Sequence, residues 1–191
     1  MEAVEPIRKK SDLEAVKALL KRKPRDYAMF VLGINSGLRI SDLLSLSLGD
    51  VIDQDKKRTQ IRERIVLRER KTRKAKSFPL NTSARAALRL YVGTFKDLDM
   101  ERPLFKSRKG EGRPISREQA YRILRQAAKT AGISNIGTHT MRKTFGYWAY
   151  KGGVDLSFLQ KILNHSSQDQ TLRYIGILQD DMDDVYRRIC L

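Results

Sequence analysis

Eight consecutive residues, Tyr27 to Ile34, are apolar on nearly every side of the helix they would form. Such a helix has no face to offer water, so it must lie inside with other elements packed around it. Pro24 ahead of it suits the first helical turn, and Gly37 behind it suits the left-handed conformation that ends a helix. The chain is therefore expected to assemble around a central helix bounded by these two residues.

The flanking elements follow from caps and periodicity. Ser11 and Glu14 make an S-x-x-E pattern ahead of Leu13, Val16, Leu19 and Leu20, which predicts a helix over Asp12 to Arg22. In SGLRISDLLSLSLGDV, Ser41 is expected to cap a short helix while Leu43, Leu44, Leu46 and Leu48 pack inward, with Arg39 at the junction. Between Lys56 and Leu80 the period changes. Ile61, Ile65 and Leu67, then Phe78 and Leu80, alternate across a basic centre, which predicts a small antiparallel sheet turning near Thr72 to Ala75. Asn81 should cap a helix through about Phe95, and a turn-rich loop follows. Ser116 and Gln119 form a second capping box, for a helix that stops at Gly132. Beyond Thr138 a helix is expected to Lys151, closed by Gly152 and Gly153. Asp155 caps another through Leu163, a short helix holds Tyr174, and a last one over about Gln179 to Ile189 starts among aspartates. The expected fold class is α+β, mainly α-helical with a small antiparallel β-sheet.

Charge narrows the partner. Lys and Arg number 39 against 22 Asp and Glu, a formal charge of +17 on 191 residues. An excess of that size argues for a polyanion, nucleic acid before an anionic membrane, because the basic residues are not gathered on one amphipathic helix. No apolar run spans a bilayer and MEAVEPIRKK has no signal-peptide core, so a cytoplasmic protein without a membrane partner is expected. The single cysteine, Cys190, leaves no internal disulfide and no cysteine-cluster metal site. Residues 11–191 suit one domain behind an N-terminal extension of residues 1–10, with no separate N-terminal DNA-gripping domain.

Both histidines of the chain fall in THTMRKTFGYWAYKGGVDLSFLQKILNHSSQDQTLRY. Arg142 stands one helical turn after His139, and Tyr174 nine residues after His165. A guanidinium fork holds two phosphate oxygens, imidazoles donate hydrogen bonds or move protons near neutrality, and a tyrosine hydroxyl can form a covalent ester. Together they suggest attack by tyrosine on a phosphodiester, which calls for a second cation and a proton donor. Arg39, oriented by Asp42 three residues on, is a candidate for the cation, against the simpler reading of a surface arginine. Between Arg62 and Lys76 lie eight basic residues and two acidic ones, mostly a solvated face for phosphates. Lys71, at the expected hairpin tip, is the best candidate for the acid.

The order of these signals resembles the catalytic domain of the tyrosine recombinases, the phage and transposon integrase family. SGLRISDLLSL, ERKTRKAKSFPL, THTMRKTFGYWAYKGG and LQKILNHSSQDQTLRYIG carry the likeness, which extends from Leu13 onward. The resemblance implies the DNA breaking-rejoining fold and site-specific recombination through a 3′-phosphotyrosine, with no cofactor and no metal. Arg39 and Arg142 would clamp the scissile phosphate, Lys71 would protonate the leaving 5′ oxygen, and His139 would assist proton transfer. His165 would hydrogen-bond the phosphate and Tyr174 would be the nucleophile. Arg68, Arg70, Arg73, Lys74, Lys76 and Lys143 are expected to contact DNA. Asp42 stands where many relatives have glutamate.

The implied partner is double-stranded DNA, with a homo-oligomer, dimer or tetramer, assembled on it. The aspartate-rich last helix would pack on its own domain or dock on a neighbouring subunit. The chain is expected to be an excised catalytic domain or a short member similar to the fimbrial promoter invertases. Two other readings are a DNA-binding regulatory factor on the same fold and a type IB topoisomerase.

Overall fold

The computed structural model describes residues 4–55, 58–108, 112–177, 181, 183, 186, 187 and 189. Its centre is α2 (Pro24–Ser36), which begins with proline and ends on Gly37 at φ 61°, the left-handed cap that the sequence predicts. Ala28, Met29, Phe30, Val31 and Leu32 are each 0–1% exposed. Around α2 pack α1 (Lys10–Lys21), α3 (Ile40–Leu44), α4 (Thr82–Val92) and α6 (Thr140–Lys151). The inward leucines after α2 are buried as expected, with Leu43, Leu46 and Leu48 at 0–1% exposure.

Among the described residues, four short strands form two antiparallel pairs instead of one sheet. β1 (Ile52–Asp55) pairs with β2 (Arg58–Ile61), and β3 (Arg64–Arg68) pairs with β4 (Ala75–Pro79) in the register Ile65↔Phe78 and Leu67↔Lys76. The β3–β4 tip spans 69–74 and overlaps the expected turn near Thr72 to Ala75. β1 escapes the sequence pattern because Ile52 is its only apolar residue. The architecture is mainly α-helical α+β. No helix among the described residues is long and apolar enough to cross a membrane.

Three caps form as expected. Asn81 accepts from the Ala84 amide, Ser116 from Gln119 and Asp155 from Ser157. They open α4, α5 (Arg117–Thr130) and α7 (Leu156–Leu163), while α4 stops at Val92, short of Phe95. Two expected caps do not form. The first helix starts at Lys10, so Ser11 lies inside it and its hydroxyl turns to Asp12. Ser41 likewise sits within α3, whose N-cap is Arg39. The helix carrying Tyr174 is α8 (Gln168–Ile175). The expected last helix, Gln179 to Ile189, falls mostly outside the described residues.

Ahead of α1 an N-terminal strap lies across α6. The Ile7 amide donates to Thr144 Oγ1 and the Trp148 indole donates to the Ile7 carbonyl, both at 2.9 Å. Thr140 Oγ1 donates to the Glu5 carbonyl at 3.0 Å. Arg8 Nη2 then donates to the Gly176 carbonyl just beyond α8.

Candidate active site

Arg142 is the buried pivot, 3% exposed. Its Nη1 donates to the Gly37 carbonyl at 2.6 Å and its Nη2 to the Leu163 carbonyl. Those acceptors end α2 and α7, where helix dipoles are negative, so two helix C-termini help a guanidinium stay charged away from water. Gly37 therefore serves twice, as left-handed cap and as acceptor. Five guanidinium N–H groups less these two leave three, which are shared between the Tyr174 hydroxyl and a ligand.

Tyr174 comes to the same place from α8. Its hydroxyl lies 3.2 Å from His139 Nδ1, and its ring meets that of His165 edge-on at 4.8 Å. Lys143 Nζ stands 5.4 Å from its ring centroid. Burial raises the phenol above its usual range, opposed by the charge and hydrogen bonding of Arg142 and by Arg39. Both imidazoles are held below their usual range, by burial first and then by Arg142 and other cations. His165 falls to about 4. Near neutral pH both histidines are thus uncharged, and His139 can accept the proton that Tyr174 releases.

α8 approaches this closely because of Gly146. A Cβ there would lie 2.5 Å from Ile175 Cγ2, so only glycine lets the residue after Tyr174 rest on α6.

Arg39 enters from the junction of α2 and α3. Its Nη1 lies 2.9 Å from Glu69 Oε2 and 3.9 Å from Asp42 Oδ2. The carboxylate expected to orient it, Asp42, spends its other oxygen on the Arg70 amide at 2.9 Å, tying α3 to the hairpin. Glu69, which the sequence reading did not single out, makes the shorter contact.

The hairpin lysines divide between two positions. Lys71 lies exposed on the tip. Lys76 points inward, donates to the Ile162 carbonyl at 2.9 Å and sits 3.9 Å from Glu69 Oε1. Burial, then Arg142, bring it down to about 8, against an opposing pull from Glu69. A signal for Glu69, and for the inward turn of Lys76 that the sequence expects as a DNA contact, is present in the sequence. Ile65, Leu67 and Glu69 alternate on one strand, as do Lys76, Phe78 and Leu80 on the other, so period two turns Glu69 and Lys76 inward.

Of the other expected DNA contacts, Arg68, Arg70, Arg73 and Lys74 are exposed, and Lys143 is half-buried. Lys74 Nζ reaches Asn164 Oδ1 at 3.3 Å, and Arg68 Nη1 donates to the Arg73 carbonyl at 3.0 Å.

The arrangement gathers Arg39, Lys76, both histidines and Tyr174 around Arg142, with Lys71 exposed on the tip. Comparison with known proteins bears on the family and the fold. The Phage integrase family matches residues 9–180. The chain is 44% identical over 188 residues to the probable integrase/recombinase YoeC of Bacillus subtilis (strain 168), covering 98% of this chain and 97% of that protein. It is 31% identical to tyrosine recombinase XerC of Thermodesulfovibrio yellowstonii, across 85% of this chain but only 53% of XerC. It therefore spans about half the length of that relative. Among solved structures, the Tn1549 transposon integrase in complex with circular intermediate DNA superposes with a TM-score of 0.71 at 20% identity, covering 100% of this chain and 68% of that one.

Proposed function

The chain belongs to the phage integrase family, and on that premise we propose that it cuts and rejoins double-stranded DNA through Tyr174 as a site-specific recombinase. The observation that carries this reading is the Tyr174 hydroxyl, 3.2 Å from the nitrogen of an uncharged His139 and beside the buried Arg142.

The reaction is a transesterification. The Tyr174 oxygen attacks the phosphorus and its proton passes to His139 Nδ1. The bond from phosphorus to the 5′ oxygen breaks, and a hairpin lysine gives that oxygen a proton. The strand is left joined through its 3′ phosphate to the tyrosine. A 5′ hydroxyl of the same or another strand reverses each step, so the ester itself retains the energy for rejoining. Arg39 and Arg142 neutralise the charge that grows on the phosphate oxygens.

Lys71 is the acid by family resemblance, delivered from the tip when DNA fills the groove. Lys76, already in the cleft, adds positive potential to the phosphate site. The exposed tip cations Arg70, Arg73 and Lys74, together with Arg68, track the flanking phosphates. Residues 11–191 act as one catalytic domain, in the cytoplasm, pairing into dimers or tetramers on DNA for strand exchange.

The test is covalent trapping on labelled, nicked duplexes from the ends of the encoding element. A denaturation-resistant protein–DNA band in the wild type, absent in Tyr174→Phe, is expected. DNA binding without any covalent band would favour a regulatory factor instead. Relaxation of supercoils without recombinant products would point to topoisomerase action.

A further inference from the structure

Glu69 is an unusual residue to find in a cleft meant for a phosphate. It is 3% exposed, at the base of the β3–β4 tip, and a buried carboxylate without partners would be costly. Its partners come from three segments. Oε2 lies 2.9 Å from Arg39 Nη1, accepts from the Thr72 hydroxyl at 2.6 Å, and accepts from the Asn164 amide at 3.4 Å. Oε1 faces Lys76 Nζ at 3.9 Å. Its backbone closes the tip, donating to the Lys74 carbonyl and accepting from the Arg73 amide.

The contacts described for the Arg39 guanidinium fall on Nη1, from Glu69 and Asp42. Asp42 is the more distant of the two, and Arg70 holds its other oxygen. A planar guanidinium held at Nη1 by an ion pair turns Nη2 and Nε away from the carboxylate.

We propose that Glu69 is a positioning residue for Arg39: its carboxylate holds the guanidinium at Nη1 so that Nη2 and Nε face the scissile phosphate. Thr72 and Asn164 in turn fix that carboxylate from the hairpin tip and from the end of α7, next to His165. One side chain thus registers three separate segments around the phosphate. The proposal rests on the phosphotransfer reading of the site, since it assigns Arg39 a phosphate to hold.

Glu69→Gln tests it, because the amide keeps the shape and the neutral hydrogen bonds but loses the charge that orients Arg39. DNA affinity and single-turnover cleavage at saturating DNA are measured side by side, with wild type and Tyr174→Phe as references. We expect affinity equal to or tighter than wild type, since a negative charge is removed, and cleavage slower by at least about tenfold. A substrate with sulfur at the 5′ bridging position should not restore the rate, because Arg39 and not the acid is displaced. Thr72→Val, which frees the carboxylate without removing it, should slow cleavage in the same direction by a smaller factor. It decides the matter if Glu69→Gln loses its folding transition. Cleavage at the wild-type rate or faster overturns the proposal. So does loss of cleavage in parallel with DNA affinity in both variants, which would mean a purely structural role. If the wild type itself forms no covalent product, the phosphotransfer reading fails, and the role of Glu69 with it.

Discussion

His165 Nδ1 lies 3.1 Å from Thr171 Oγ1, whose own hydroxyl hydrogen is committed to the Ser167 carbonyl at 3.0 Å. The Thr171 oxygen can therefore only accept from the ring, and the neutral His165 carries its proton on Nδ1. Its Nε2 is then an acceptor. To donate a hydrogen bond to a phosphate, His165 must take up a second proton.

With its native pKa down at about 4 in the absence of DNA, His165 should remain the neutral Nδ1–H tautomer at pH 6, and a nitrogen-detected NMR titration checks it. Below the ordinary histidine value of about 6.5 the unfolded chain binds a proton that the folded chain refuses. The His165 contribution to stability is thus intact above pH 6.5 and is lost as pH falls toward 4. Adding duplex DNA should raise the His165 pKa, seen as proton uptake on binding at pH 5.5 to 6.5.

Arg142→Lys removes the bridge between the ends of α2 and α7, because one ammonium cannot satisfy both carbonyls in the same geometry. Leaving such a carbonyl unpaired in the interior costs about 1–3 kcal/mol. A lower urea midpoint with an unchanged slope is expected, together with loss of the covalent band.

The two hairpin lysines separate by the leaving group. Replacing the 5′ bridging oxygen with sulfur yields a thiolate, whose conjugate acid titrates near about 8.5 and needs no proton from the enzyme. Cleavage lost in Lys71→Ala should return on that substrate. Cleavage lost in Lys76→Ala should not, since Lys76 supplies potential and not the proton. The opposite pattern would move the acid to Lys76.

Gly146→Ala places a methyl 2.5 Å from Ile175 Cγ2. Overpacking of this kind costs about 1–3 kcal/mol. The displacement should fall on α8, so single-turnover cleavage should slow while DNA affinity stays near wild type, measured by trapping and by equilibrium binding.

The fold was largely legible where a single residue settles a local conformation. Pro24, Gly37, Asn81, Ser116 and Asp155 each act where expected because their effect is confined to one turn. Ser11 and Ser41 show the limit, since a preceding residue already satisfies helical geometry and the cap has nothing to do. Inside the basic run, charge marks Lys76 as a DNA contact but hides both Glu69 and the period-two alternation that turns the two side chains inward. Convergence of the ends of α2 and α7 on Arg142 was not legible, because it joins carbonyls at positions 37 and 163 that share no local pattern.

The strap from Glu5 to Arg8 has a mechanical consequence. It is fastened to the helix that bears Arg142 and, through Arg8, to the carbonyl two residues past Tyr174. A change that loosens the strap would therefore be felt by α6 and by the end of α8 together. Residues 5–8 are thus a clasp that couples the helix of Arg142 to the end of the helix of Tyr174.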